Sequence, residues 1–249
     1  MKTHLSLDEM NTMREAGKVV SAFFRSLKNK IAPGLTTKDI EKEFDSFLLG
    51  FEGMEPAFKG YMGYPASVCA SVNEEVIHGI PSDKKIIKQG DLVSIDLGIK
   101  YRGLFVDSAY TYMIGKVSDE AKKLSEVTLA SLNEAIKHVK IGACVGDIGC
   151  AVQRFVEKNG FAVIRSFVGH GIGNNLHQPP EVPNFGKEGQ GPVLEEGQVI
   201  AIEPMVVAGT YKVKVLSDGW TVVTADNALS AHFEHTVAVT KKGAWIITE

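Results

Sequence analysis

Cysteine is scarce in this chain: Cys69, Cys144 and Cys150 are the whole complement in 249 residues. An odd number at no repeated spacing supports neither a disulfide framework nor a cysteine-bound zinc ribbon, so a reduced compartment is expected. Lysine and arginine form no concentrated run. With 27 basic residues against 30 acidic ones the formal charge is −3, and binding to neither nucleic acid nor a membrane surface is expected. No apolar stretch approaches the ~20 residues that span a bilayer. The opening MKTHLSLDEM is polar and lacks the apolar core of a secretory signal. Together these absences predict a cytoplasmic protein.

What is present is an ordinary globular composition, 44% apolar and 23% charged. Ser6-Leu7-Asp8-Glu9 is a capping box, and a helical pattern follows to about Ile31. Pro33-Gly34 breaks it, and Thr36-Thr37-Lys38-Asp39 opens a second helix that ends near Gly50-Phe51. The strand-like segments SVCASVN, DLVSIDLGI and LFVDSAYTYMI come next. At Ser118-Asp119-Glu120 the order begins again, with a long helix to about His138, a glycine break over 141–146 and a shorter helix to Gly160-Phe161. AVIRSFV, QVIAIEPMVV, WTVVTA and FEHTVAVT then read as strands. Ile31 with Ile141, and Gly50-Phe51 with Gly160-Phe161, recur at one constant offset. The pattern predicts an α+β fold of two pseudo-symmetric halves, about 1–117 and 118–249, with strands meeting centrally and helices outside. Nothing reads as an interdomain linker, so a single domain over 1–249 is expected.

The stretch SIDLGIKYRGLFVDSA holds two alternating runs around a turn. With Tyr101 and Arg102 at the turn centre, Ile99 faces Leu104 and Asp96 faces Asp107. Opposed residues share a sheet face at roughly 4.5–5.5 Å between Cβ atoms, and like charges there are destabilising. Val93, Ile95, Leu97, Phe105, Val106 and Ala109 around the pair imply partial burial. Protonating one aspartate, or placing a cation between them, relieves the repulsion. Two alternatives stay open here: aspartates facing solvent on an edge hairpin, and a neighbouring turn that shifts the register.

AIEPM places Glu203 at the end of an apolar run, just before Pro204, which ends regular strand pairing. HFEHTVAV places Glu234 in a strand, alternating with Phe233 and His235. Four carboxylates in strand-like segments, with only Arg102 nearby, need positive charge from elsewhere; one or two divalent metals supply it most economically. FVGHGIGNNLHQPP, residues 167–180, is glycine-rich but reads G-x-G-x-G, and Pro179-Pro180 stand where a phosphate-binding helix would begin. The dinucleotide reading therefore fails. His170, ending an apolar strand between glycines, can present an imidazole to a metal. One nitrogen among several oxygens suits Mn, Fe, Co or Zn.

Asp96, Asp107, His170, Glu203 and Glu234 stand in the contexts SIDLG, FVDSA, GHGIG, IEPM and FEHT. With YPASVCASVNEEVIHGIP (64–81) they make the chain resemble the type I methionine aminopeptidases over essentially its whole length. The resemblance implies a pita-bread fold with a central antiparallel sheet, and two divalent metal ions (Co, Mn, Fe or Zn). In that pattern Asp96 holds one ion, His170 and Glu203 the other, and Asp107 and Glu234 bridge both. It also implies excision of the initiator methionine ahead of small second residues. A metal-bridged hydroxide would attack, Glu203 would shuttle the proton, His78 would bond near the scissile amide and His177 would stabilise the oxyanion. From their own context, His78 and His177 read as structural.

The methionine pocket of the family resembles Tyr61, Tyr64, Cys69, Leu176 and Trp220 here, with His78 and His177 completing the substrate contacts. Aromatic and sulfur-bearing walls suit a thioether. Nascent polypeptide N-termini, met at the ribosome, are the implied partners, and a monomer is the implied state. Three departures stand out: Leu176 where the family commonly has Phe, Asn174-Asn175 where charged residues are common, and Gly98 where a hydroxyl residue is often seen. The alternatives are an Xaa-Pro aminopeptidase or prolidase-like hydrolase, whose extra N-terminal domain has no counterpart in this sequence, and a non-catalytic binding protein, which would lack ligands present here.

Overall fold

The computed structural model describes residues 2–249. Helix α1 (Leu7–Lys28) is capped by Ser6: its hydroxyl accepts from the Glu9 N–H, and the Glu9 carboxylate accepts from the Ser6 N–H at 2.8 Å. Thr36 and Asp39 make the same reciprocal cap on α2 (Thr37–Leu48). Strands β1 (Met54–Pro56), β2 (Cys69–Val72), β3 (Glu75–Ile77), β4 (Leu92–Tyr101) and β5 (Leu104–Met113) follow. Helices α3 (Asp119–Ile136) and α4 (Val145–Lys158) open the second run. It continues through β6 (Ala162–Val163), β7 (Gly169–Gly171), β8 (Gln178–Val182), β9 (Val199–Ile202), β10 (Met205–Val207) and β11 (Val213–Val215). The chain closes with β12 (Val222–Thr224), β13 (Ser230–His232), β14 (His235–Thr240) and β15 (Gly243–Ile246). No helix among the described residues is long and apolar enough to cross a membrane.

Every strand pair is antiparallel, in four hydrogen-bonded sheets. One is β1-β4-β2 with β5 on β4; the others are β15-β14-β9-β7-β8, β13-β10-β6 and β11-β12-β3. AVIRSFV yields only the two-residue β6, because Arg165 and Ser166 turn out to the surface and break the ladder. The periodicity of β4 explains how the sheet is held. Val93, Ile95, Leu97 and Ile99 are fully buried on one face and cluster with Phe23 of α1 and Phe44 of α2. Burying each side chain of that kind contributes about 1.5–3 kcal/mol. Ser94, Asp96 and Gly98 alternate with them, so the packing that anchors β4 also fixes Asp96 on the opposite face.

The β4–β5 hairpin corrects the expected register. Asp96 lies opposite Ala109, and Asp107 opposite Gly98. The turn centre is Arg102-Gly103, both with positive φ (49° and 79°), instead of Tyr101-Arg102. Two central residues with φ above zero define the type I′ turn, whose twist matches paired strands, and glycine supplies the second one without strain. The shift is two residues, so both aspartates keep the same face as diagonal neighbours across the ladder.

A second correction concerns Glu234, which lies outside any strand. β9 pairs with β14 in the five-stranded sheet, whereas β10 pairs with β13 in another. The chain changes sheets at Glu203-Pro204 on the way out and at Phe233-Glu234 on the way back. Both glutamates thus sit in one unpaired seam, bracketed by the pairs His235–Ile202 and Met205–His232. The seam lies against β5: the Glu234 N–H donates to the Ala109 carbonyl at 3.0 Å, and Ser108 Oγ donates to the Glu234 carbonyl at 2.7 Å.

The turn assignment can be checked by opposed substitutions. Arg102→Asn, which tolerates the left-handed conformation better, should stabilise by about 0.5 kcal/mol. Gly103→Val, β-branched at φ 79°, should destabilise by about 1–3 kcal/mol. Urea unfolding of both variants measures this, and equal effects would refute the I′ assignment.

Candidate metal centre

Asp96 and Asp107 come from β4 and β5, Glu203 and Glu234 from the seam, and His170 from β7. One ligand atom each of Asp107, His170 and Glu234 lies within 4.8 Å of the others, and all three residues are buried. His170 Nδ1 is 3.0 Å from the Gly171 carbonyl, which can only accept, so that nitrogen carries the proton. Nε2 is left with a lone pair aimed at the carboxylates, 3.6 Å from Glu203 Oε1. Orienting a ligating imidazole by a backbone carbonyl on its other nitrogen is a recurrent feature of metal sites. Gly171 lets β8 pack close against β7: a Cβ there would lie 2.2 Å from the Pro179 carbonyl oxygen.

Asp96 Oδ1, Asp107 Oδ1 and Glu234 Oε1 are buried with no hydrogen-bond partner. Among the described residues no lysine or arginine pairs with any of the four carboxylates; the nitrogen groups beside Glu203 are the imidazoles of His170 and His232. Burial raises the Asp96 carboxyl well above the ordinary range, and the Asp107 and Glu203 charges raise it further. Burial pushes Asp107 up to about 7. Glu203 is raised by burial and by Asp107, and Glu234 by burial and by Asp107, Glu203 and Asp96 together. Burial holds His170 down to about 3, so its imidazole is neutral and available. Orphaned oxygens, mutual repulsion and a free nitrogen lone pair together fit a divalent cation, which would reverse each of these penalties.

All twelve residues singled out from the sequence line one cavity of about 150 Å³. Its apolar wall is Tyr64, Cys69, Leu176 and Trp220, with the Tyr64 and Trp220 rings edge-on at 5.1 Å between centroids. Tyr64 is fixed by its hydroxyl, 3.2 Å from the carbonyls of Val68 and Gly79. His177 stands at the mouth with Nδ1 2.9 Å from Tyr61 Oη and its ring edge-on to His170 at 4.2 Å. His78 has φ 59° and sits beside Trp220 and Phe167; burial, reinforced by His177, lowers it to about 4.

Three site residues were not legible in the sequence. Phe58 and Met62 line the cavity from a loop without periodicity. Phe58 also accounts for Gly98: a Cβ at that position would lie 2.9 Å from Ala57 Cβ and 3.0 Å from Phe58 Cε1. The ring fills the space that a side chain on β4 would take. His232 is the third, buried with Nε2 3.9 Å from Glu203 Oε2. Its signal in the sequence is its place two residues before Glu234.

Residues 11–241 match the pattern of metallopeptidase family M24. The chain belongs to metallopeptidase family M24. It is 48% identical to a methionine aminopeptidase of Clostridium perfringens over 97% of this chain and 96% of that one. Against methionine aminopeptidase 1 of Bacillus subtilis the identity is 47%, over 96% of each chain. The crystal structure of methionine aminopeptidase from Thermotoga maritima superposes with a TM-score of 0.97 at 44% identity, covering both chains completely. This M24 chain therefore has the pita-bread fold and binds divalent metal through its acidic cluster.

Metal binding should be coupled to protons with a definite sign. Asp107, raised to about 7, is protonated below that pH, so a cation must displace its proton and affinity falls as pH falls through 7. His170, held at about 3, is already neutral and contributes no proton. Calorimetry with Mn²⁺ in two buffers of different ionisation enthalpy should show proton release at pH 6 that declines by pH 8. PH-independent binding without proton release would contradict the arrangement.

Proposed function

We propose that the chain hydrolyses the peptide bond after an N-terminal methionine, on nascent polypeptides whose second residue is small. The observation that carries this reading is one continuous cavity: a sulfur- and aromatic-lined slot that opens directly onto four carboxylates and His170. The slot fits an unbranched thioether, for which Cys69, Tyr64 and Trp220 offer polarizable and aromatic contacts. Its acidic end favours a free α-amino group, which suits an exopeptidase. Relatives named methionine aminopeptidase at 47–48% identity over nearly the full chain support the same reaction.

We read Asp96, Asp107, His170, Glu203 and Glu234 as the residues that would hold two divalent ions, of Mn, Fe, Co or Zn. A bound divalent cation lowers the pKa of water and polarises a carbonyl. Glu203 takes the proton of the attacking water and returns it to the leaving amine; burial and the neighbouring Asp107 charge raise its proton affinity, which favours the first transfer. His177, with Tyr61 donating to Nδ1, keeps the Nε2 proton facing the cavity and donates it to the carbonyl oxygen as charge develops. His78 hydrogen-bonds the backbone beside the scissile amide and limits the room on that side. We read residues 1–249 as one catalytic domain around this site.

The deciding experiment is peptide hydrolysis by chelated protein titrated with Mn²⁺. Met-Ala-Ser should be cleaved, Met-Phe-Ser and Ala-Pro-Ser at least about a hundredfold more slowly. Preferential cleavage of the Xaa-Pro peptide would overturn the substrate assignment. Glu203→Gln should abolish turnover. His177→Ala should lower kcat about 10²–10³-fold with metal content unchanged; loss of metal from that variant would make His177 a ligand instead.

A further inference from the structure

His232 has no role in the scheme above, yet its environment is unusual. The residue is 1% exposed, and its Nε2 is a buried polar atom without a hydrogen-bond partner. An orphaned polar atom of this kind carries a desolvation cost, which natural structures tolerate where it serves a purpose. The backbone of His232 is held on both sides by one hydroxyl: its N–H donates to Thr111 Oγ1 at 2.9 Å, and Thr111 Oγ1 donates to its carbonyl at 2.7 Å. Thr111 Oγ1 in turn lies 2.8 Å from Ser94 Oγ across the β4–β5 ladder. The imidazole is therefore delivered to a fixed place by β5, at the end of β13, two residues before Glu234.

The group that Nε2 faces is Glu203. Oε2 of that carboxylate is 3.9 Å from His232 Nε2, while Oε1 is 3.6 Å from His170 Nε2. Two imidazoles thus flank the two oxygens of one carboxylate. They are not equivalent, because His170 Nδ1 donates to the Gly171 carbonyl and its Nε2 lone pair is committed to the metal centre. His232 is the imidazole left to hold Glu203. A distance of 3.9 Å exceeds a hydrogen bond, so the bond requires the Glu203 carboxylate to turn toward the imidazole.

We infer that His232 is a positioning residue, donating its Nε2 proton to Glu203 Oε2 and so fixing the carboxylate that carries the proton in hydrolysis. The inference rests on the role proposed above for Glu203. His232 itself touches neither substrate nor the reacting atoms. Its contribution is to keep one Glu203 oxygen bound, so that the other is aimed into the cavity in a single rotamer. Seam geometry supports this: Glu203 lies outside any strand, so its orientation is not set by a ladder and needs a side-chain anchor.

The test combines a readout on the metal-free protein with kinetics. In the ¹⁵N-histidine spectrum of the metal-free wild type, His232 should be the Nε2–H tautomer; an Nδ1–H tautomer with bare Nε2 would overturn the inference. With Mn²⁺ and Met-Ala-Ser, His232→Leu, which lacks a donor, should lower kcat roughly ten- to a hundredfold with KM changed less than about threefold. Bound Mn²⁺ should be unchanged. His232→Gln, whose amide N–H reaches the Nε2 position, should restore most of the loss, and it also keeps the test valid should the Leu variant fold poorly. A Leu variant with wild-type kcat, a Gln variant no better than Leu, or a loss of metal parallel to the loss of activity would each overturn it. Absence of methionine release by the wild type would instead refute the proposed function, and the tautomer would still decide the role of His232.

Discussion

Four carboxylates share a buried space without a lysine or arginine among them, and the rest of the molecule is arranged around that repulsion. Burying one unpaired carboxylate is expensive, and gathering four is tolerable only with protons or a cation between them. The fold does not let them escape. Asp96 is pinned because the alternate residues of β4 are locked under α1 and α2. Asp107 is pinned by the ladder and by Thr236, whose Oγ1 accepts its N–H at 3.0 Å and donates to its carbonyl at 2.8 Å. The backbones of the glutamates are held in the seam where two strand pairs exchange sheets. A geometry that is unfavourable alone becomes a preformed site when metal arrives.

The same constraint explains why the site joins distant parts of the chain. A hairpin supplies two ligands cheaply, since diagonal neighbours on one face are close by construction. It cannot surround a cation. The remaining oxygens come from a place where strand pairing lapses, because a residue outside a ladder can aim its side chain free of strand alternation. That freedom has a cost in definition, which is where His232 enters for Glu203. The apolar slot beside the cluster follows a parallel logic: Phe58 and Leu176 fill volume that other side chains could occupy, and Gly98 is the position that makes room for the Phe58 ring.

The helices and the main hairpin were readable from the sequence because capping boxes and strict alternation are local signals. Ser6 with Glu9 and Thr36 with Asp39 mark helix starts with side chains three residues apart, and the structure uses both. The hairpin register differs by two residues from what alternation predicts, because the glycine that favours a type I′ turn lies one position beyond the centre of the alternating runs. Asp96 and Asp107 survive the difference, since an even shift preserves the face. Glu234 was assigned to a strand, because alternation alone does not reveal that the pairing partner changes at Phe233. His78 and His177 looked structural in isolation; only a cavity shared with the carboxylates draws attention to them. Phe58 was out of reach, as its significance lies in a loop meeting Gly98 on β4, and no sequence period links the two.

The central claim is that this preformed cluster binds divalent cations. Anomalous diffraction at the manganese edge from crystals equilibrated with Mn²⁺ tests it most directly. The arrangement predicts strong peaks enclosed by Asp96, Asp107, His170, Glu203 and Glu234, with His170 Nε2 at bonding distance. A cluster that stays free of anomalous signal while Mn²⁺ is in excess would contradict it.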